Sequence, residues 1–599
     1  MKLPMLYKNI RREEKIIKSF GGINTSETYS VGELFGAENM SSDYAPALCS
    51  RKKRECIIES EREINGLFGF DKLFYTSYDR KNNLIYLTYG GIDYDMSPYS
   101  SSTDYSEKRS FAALSGQVLI IPDNVLFNTN SRTFTKVCIS QKHNEPTAKE
   151  KFETESSGSD YLARSSWVLG KVTHNKITAE KVSYPNTHKY DFYHMNFDDD
   201  LKAGDVITVK MLVSSDKAPD SKEYSNYIKK MLAGITLKIK DITTVTHSIH
   251  SGESITEKTE LIFDDNNIDT FGLGQLEIEQ LSIEKGIPKI ECMCSFNNRV
   301  WAAAGKEIYT SKLGDAGEWN DFTVDDYGTL PYACFTASAQ TEGSFTGITP
   351  YGSYIYAFKE NTIHKIYGDE PDEYKLYTTE ALGIAEKYKQ CCTKTADSLI
   401  YAARDGIYLF RDNYPKRISD KTANGIIPRA MAPHGEKCYI LSGDDKKCIY
   451  VYDVSKDIWQ CENADSDINF LISYSGNVYA ASKNKIICLT ECNDEDKSEK
   501  NIYWSFKIKF DEKLINKKCF GKAAVRYSLG KNSSFTVKAV YDDDTRGAVC
   551  GAQYDEKDIG GCTVHLPIKR CLCFYLEFKG IGEFSLKSIK FSFFNGTEF

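Results

Sequence analysis

Several things are scarce in this 599-residue chain, and each scarcity excludes something. No run of about 18 apolar residues occurs, so a transmembrane helix is not expected. The opening "MKLPMLYKNIRREEKIIKSFGG" lacks a continuous apolar stretch, and no secretory signal is expected there. Charge of one sign is also missing. Lys and Arg number 76 against 84 Asp and Glu, interspersed, for a formal net charge of −8, which argues against broad electrostatic capture of nucleic acid or of an anionic membrane. Cysteine is present, at 18 residues, but C-x₂₋₄-C knuckles in matching pairs are not, so no metal site is expected. Scattered along a long chain without a leader, these cysteines read as reduced thiols. Cys292 with Cys294, and Cys571 with Cys573, are spaced i,i+2, which puts each pair on one face of a strand. No G-x-S-x-G elbow, Walker loop or H-E-x-x-H occurs. Paired carboxylates carry no weight where 84 acids always offer pairs. We therefore expect no enzyme, no catalytic residues, no cofactor and no small-molecule substrate.

What is abundant is aromatic: 39 Tyr and 31 Phe, often alternating with polar residues, a pattern that favours half-buried strands. The stretch "NRVWAAAGKEIYTSKLGDAGEWNDF", Asn298 to Phe322, reads as strand, Gly-Lys turn, strand, then a Gly/Asp turn ending on Trp319. Similar hairpins recur in "LFYTSYDRKNNLIYLTYGG", "VLIIPDNVLFNT", "YIYAFKENTIHKIYG", "LIYAARDGIYLFRD", "CYILSGDDKKCIYVYD" and "VYAASKNKIICLTE". Anchored at Leu73, Val118, Val300, Ile355, Ile400, Tyr439 and Val478, they step by about 40 to 55 residues with one long step, the period of a four-stranded propeller blade. Unrelated hairpins in two sandwiches are the alternative. The regular spacing favours a ring, which also protects sheet edges.

The long step holds a polar piece, "KHNEPTAKEKFETESSGSD", strand-like runs and a short helix candidate, "SKEYSNYIKKMLAG", and reads as an inserted domain. After the charge cluster "ECNDEDKSEKN" the chain alternates strongly, as in "IYWSFKIKF" and "SFTVKAVYDDD", which suggests a β-sandwich. The expected fold is mainly β: a seven-bladed (six to eight) β-propeller with an inserted α+β domain and a C-terminal β-sandwich. Its expected parts are an extended N-terminal arm (1–60), the first blades (61–130), the insertion (131–280), the remaining blades (281–492) and the sandwich (500–599).

The candidate sites are few. His247 and His250 in "HSIH" face opposite sides of a regular strand and read as surface polar residues. "DDNNID", Asp264 to Asp269, fails as a calcium loop, with Thr270 in place of Gly and Leu276 in place of Glu. "GDAGEW", Gly314 to Trp319, is similar to the Asp-box turn of sialidase-like propellers, although it lacks the Ser two residues before the Asp and its Trp comes one residue early. By that resemblance Asp315, Gly317 and Trp319 are structural, Asp and Gly shaping the turn and Trp packing between blades. The basic run Arg51, Lys52, Lys53 and Arg54 follows an extended Pro-containing stretch. It reads either as an arm that docks on a neighbour or as a plain solvated turn.

Several blocks resemble a family of bacteriophage virion proteins, the propeller-bearing tail proteins related in architecture to the tail nozzle of short-tailed phages. They are "FGGINTSETYSVGELFGAENMSSDYAPALCSRKKR" (Phe20 to Arg54), "IIPDNVLFNT", "NRVWAAAGKEIYTSKLGD", "FKENTIHKIYGDEP", "DGIYLFRDNYPKRIS" and the closing "LPIKRCLCFYLEFKGIGEFSLKSIKFSFFNGTEF". The resemblance spans nearly the whole chain apart from the insertion; Cys49 stands where a commoner small residue is expected. It implies a non-enzymatic structural component of a virion, of its tail (nozzle- or hub-like), assembled in the host bacterial cytoplasm. Its implied partners are other tail proteins and copies of itself, with transient passage of genomic DNA and no membrane. A weakly acidic wall would let phosphates pass where a strongly positive one would hold them. The rival expectation is a glycan-binding or glycan-cleaving propeller used in host attachment, which predicts exposed aromatics beside two carboxylates at the propeller mouth. A cellular interaction propeller is a weaker third, since Trp-Asp and kelch signatures are absent.

Overall fold

The computed structural model describes residues 12–26, 30–102, 104–137, 139–143, 170–173, 176–183, 191–193, 206–214, 235–250, 254–263, 276–285, 290–321, 330–411, 414–422, 425–443, 448–464, 467–510, 518–542, 554–555, 560–566 and 570–595. Among them the regular structure is β, with three short 3₁₀ turns.

Seven of the sheets are four-stranded and antiparallel. Six are simple meanders spanning 63–95, 110–136, 292–338, 347–380, 392–417 and 428–463. All seven sequence anchors fall on the second strand of a sheet: Leu73 in Leu73–Asp79, Val118 in Gln117–Ile121, Val300 in Arg299–Ala304, Ile355 in Tyr354–Phe358, Ile400 in Leu399–Ala403, Tyr439 in Lys437–Ser442 and Val478 in Asn477–Ala481. The reason is physical, since the two middle strands of each sheet are flanked on both sides and form its most apolar hairpin, whose first strand carries the anchor. Leu399–Ala403, for example, is buried at all five positions. Tight turns set the register. Asn297 and Asn298 both have positive φ (47° and 54°), the two-residue turn whose twist suits a hairpin, and Phe296 accordingly pairs with Arg299.

Each sheet packs its first strand on that of the next, from Glu63–Gly69 and Ser110–Leu114 round to Phe470–Tyr474, which packs back on Glu63–Gly69. Apolar clusters fill each junction. Phe74, Phe127 and Val118 join the first and second sheets, and Leu67, Tyr75 and Ile486 join the seventh and the first. The arrangement is propeller-like, of many small antiparallel sheets.

The seventh sheet differs in composition. Phe470–Tyr474, Asn477–Ala481 and Lys485–Cys488 are consecutive, but the fourth strand is Glu55–Glu59 from near the N-terminus. This corrects the expectation of an extended arm over 1–60. The described part of that segment is woven into the fold, with Arg12–Ile17, Met40–Ser41 and Leu48–Ser50 in one sheet of the C-terminal sandwich and Leu34–Glu38 in the other. The sandwich is thus larger than 500–599. Its five-stranded sheet runs Leu34–Glu38, Tyr503–Lys509, Phe574–Ile581, Ser534–Tyr541, Tyr554–Asp555, and its facing sheet is built on Lys518–Leu529 and Phe584–Asn595. Strict alternation buries Trp504, Phe506 and Ile508 between the two, where Phe506 stacks on Phe578 with centroids 4.6 Å apart.

The insertion forms an antiparallel sheet from Ile139–His143 to Leu276–Lys285, in which Leu276–Lys285 pairs also with Val206–Ser214, the strand at the far end of the order. The helix candidate at 221–234, most of the polar piece and the run Asp264 to Asp269 lie outside the described residues. His247 and His250 lie on Ile235–His250, where a register irregularity falls between Ser248 and His250.

Candidate interdomain site

Residues 20–26 and 30–54 run as a strap between the sandwich and the sixth four-stranded sheet. Glycine is required where the strap first touches that sheet, because a Cβ on Gly22 would collide with the backbone of Trp459. Beside it the Ile23 N–H donates to the Trp459 carbonyl (2.6 Å) and the Thr25 N–H to that of Lys421 (2.9 Å). Farther on, Asn39 takes φ +58°, a conformation Asn tolerates better than most residues. Its N–H donates to the Cys461 carbonyl (2.8 Å), its side-chain amide donates to the Tyr503 carbonyl (2.6 Å), and its Oδ1 accepts from the Asn463 N–H (2.9 Å). One asparagine therefore joins strap, propeller-like ring and sandwich.

The basic run completes this junction. Arg51 is 4% and Arg54 6% exposed, so neither belongs to a solvated turn or an outward arm. Arg51 grips Glu499 with two nitrogens (2.6 and 3.0 Å) while its Nε donates to Asn39 (3.0 Å). Arg54 pairs with buried Glu462 (2.9 Å) and donates to the Asn463 carbonyl (2.7 Å). A bidentate guanidinium–carboxylate contact fixes geometry as well as charge. Only Lys52, exposed, and Lys53, half-buried, remain toward solvent. Further acids tie the strap down. Ser42 donates to Asp453 (2.7 Å), and Lys437 pairs with Asp43 (2.5 Å). Burial works to raise both carboxyls, yet the Lys437 contact holds Asp43 below its ordinary pKa, and hydrogen bonds from Ser42 and Ser455 do the same for Asp453. Nothing local in the sequence marks Glu462, Glu499 or Asn463 as partners, since they lie more than 400 residues from the arginines they bind.

Asp315, Gly317 and Trp319 come together in a separate turn. Asp315 Oδ1 accepts from the Gly317 N–H (2.8 Å), and the Trp319 indole donates to the Ala316 carbonyl (2.9 Å). Trp319 is buried among Ala112, Leu119 and Val300, between the second and third sheets. The glycine whose backbone requires its freedom is Gly314, at φ +79°, whereas Gly317 has no positive φ. The Ala316 N–H also donates to Gln117 of the second sheet (2.9 Å).

Three of the buried thiols are chemically quiet. Burial pushes Cys292, Cys334 and Cys391 up to about 12, which leaves them protonated and weakly nucleophilic. Among the described residues no group of three or more His, Cys, Asp and Glu side chains converges on a metal position, and no helix is long and apolar enough to cross a membrane.

Beside the strap lies an open cleft of about 510 Å³, lined by Glu38, Asn39, Asn463 and residues 503–505, 534–536 and 579–581. Tyr503 stands in it 63% exposed. The only carboxylate on its lining is Glu38.

No family model matches the chain, and no curated protein does. Among solved structures, the computationally designed Ika8 protein aligns at 9% identity over 73% of this chain and 100% of its own, with a TM-score of 0.30. Hsv2 of Kluyveromyces lactis aligns at 10% identity over 47% and 90%, with a TM-score of 0.25. BamB from Moraxella catarrhalis aligns at 12% over 33% and 67%, with a TM-score of 0.22. Likenesses at these scores leave the function to the chain's own residues.

Proposed function

We propose that the chain is a seven-bladed propeller ring fused to a sandwich, and that it serves as a non-enzymatic structural component of a bacteriophage tail. The observation that carries the reading is the course of the N-terminal segment. It supplies four strands to the sandwich, runs along the sixth sheet through Asn39, Arg51 and Arg54, and ends as the fourth strand of the seventh sheet. A ring whose last blade is completed from the other end of the chain cannot open without breaking a whole strand's ladder, and the same segment fastens the sandwich to it. Such a body acts by presenting fixed faces to neighbours: other tail proteins and copies of itself, around a path for genomic DNA. The sequence blocks resembling tail proteins supply the setting, the virion.

Glycan cleavage in the cleft beside the strap fits less well, because hydrolysis needs two carboxylates flanking the scissile bond and that lining offers Glu38 alone. The test is electron microscopy of particles from the source culture, with gold-labelled antibody against the inserted domain. Label at the tail or portal vertex is the expected result; intact particles that stay unlabelled overturn the proposal.

A further inference from the structure

We propose that the cleft beside the strap is a saccharide-binding site that stacks a neutral pyranose on Tyr503. Strand register builds it. Tyr503, Ile581 and Ser534 form one cross-strand row, and Glu38, Ser505, Lys579 and Thr536 the next row of the same sheet face. Trp504, Gly580 and Phe535 form the intervening row, whose two aromatics lie buried in the sandwich core. The floor is therefore rigid. A Cβ on Gly580 would collide with Trp504, so backbone and indole are in direct contact beneath the cleft. Asn39 and Asn463, held by Arg51 and by each other, form the wall.

The chemistry of the lining selects the ligand class. An aromatic face 63% exposed in a concave site suits the C–H face of a sugar ring. Around it the lining supplies the Glu38 carboxylate, the Asn463 amide and the Ser505 and Ser534 hydroxyls. They are the acceptors and donors that vicinal hydroxyls satisfy. Lys579, the cation of the lining, pairs with Glu577 (3.1 Å), which with Glu38 beside it weakens the pull of the cleft on a phosphate. A volume of about 510 Å³ accommodates a short saccharide, and the mixture of polar groups disfavours lipid.

The inference rests on the tail reading only for its biological setting, and its test is separate from the labelling experiment. Saturation-transfer NMR on the full-length chain with glucose, galactose, mannose, N-acetylglucosamine and their disaccharides is expected to show transfer to ring protons, with a Kd of about 1 mM. Replacing Tyr503→Ala is expected to weaken binding about tenfold or more, and Tyr503→Phe to retain it. Because Tyr503 is largely outside the core, both variants keep the wild-type melting temperature; Ser534→Trp, which fills the cleft, is a second variant with the same expected loss. Sedimentation with purified host-wall polysaccharide separates free sugar from wall glycan as the source, and binding to either that needs Tyr503 supports the site. Failure of all these probes to bind, or binding unchanged in both Tyr503→Ala and Ser534→Trp, overturns it whatever the gold label shows.

Discussion

Replacing Arg54 by alanine tests the strap most directly. Arg54 and Glu462 are each 6% exposed, with nitrogen and oxygen 2.9 Å apart, and Arg54 also donates to the Asn463 carbonyl. The Arg54→Ala change deletes the cation but leaves Glu462 buried, so the loss includes that carboxylate's desolvation and not merely the pair's net attraction. Breaking a buried pair in this way costs about 3 to 5 kcal/mol, whereas exchanging both partners for apolar residues of similar volume is often neutral. The neighbouring Lys52→Ala is exposed and should stay within about 0.5 kcal/mol. Urea unfolding of the three variants, Arg54→Ala, Lys52→Ala and Arg54→Met with Glu462→Met, gives the comparison. Hydrogen exchange then locates the loss, which is expected in the strap and at Ile458–Asn463, the sixth-sheet strand it lies on. If Arg54→Ala behaves like Lys52→Ala, the guanidinium is not the clamp described above.

Three other outcomes follow from the same physics. Trp319→Ala should cost about 3 to 5 kcal/mol because it empties the junction between two sheets, while Gly317→Ala should be near neutral and Gly314→Ala destabilising because of its left-handed backbone; thermal melts rank the three. His364 is 1% exposed, its ring nitrogens meet Thr341 and Thr378 at 3.0 Å, and burial, helped by Lys359, lowers its pKa to about 4. The unfolded imidazole titrates near 6.5, so the unfolded state takes up the proton first. Stability should therefore fall as pH drops from about 6.5 to 4, by at most about 3 kcal/mol, and His364→Gln should flatten that slope. Asp43 and Asp453, with depressed pKa values, add a second loss only below about pH 4. Removing residues 1–60 should expose the edge of the seventh sheet and part of the sandwich core, and gel filtration of the shortened chain should show aggregation in place of a monodisperse species.

The repeat was legible because its signals are local. Each second strand is an apolar run bounded by Gly, Asn or Asp, and every anchor from Leu73 to Val478 sits on such a strand. Outer strands were not legible; Ile92–Asp95 and Pro415–Arg417 are short and mostly exposed or half-buried, with little apolar pattern to read. The partner of Lys485–Cys488 could not be read at all, since Glu55–Glu59 lies more than 400 residues away and pairing at that distance leaves no trace in either segment. For the same reason the run from Arg51 to Arg54 looked like a surface feature. Its counter-charges, Glu462 and Glu499, come from the far end of the chain, and only the fold brings them within reach. Tyr503 did carry a signal: in "IYWSFKIKF" it alternates with the buried Trp504, Phe506 and Ile508, which marks it as outward-facing without saying what it faces.

The strap also bears on how the molecule forms. Sheets one to six are each built from strands consecutive in the chain, but the seventh and the sandwich both wait for the N-terminal segment to find residues from the last third of the chain. Closing so long a loop adds only slowly to the entropic penalty, about 0.6 kcal/mol per doubling of length, while a ladder, the Arg51 and Arg54 contacts and a shared core form together once it is closed. The final step is thus expected to be late and cooperative, and opening either module strips the other of strands. That coupling is the physical reason for the propeller-like sheets and the sandwich to hold each other in place. It also keeps the walls of the Tyr503 cleft, which come from the strap, the sixth sheet and the sandwich, in fixed relation to one another.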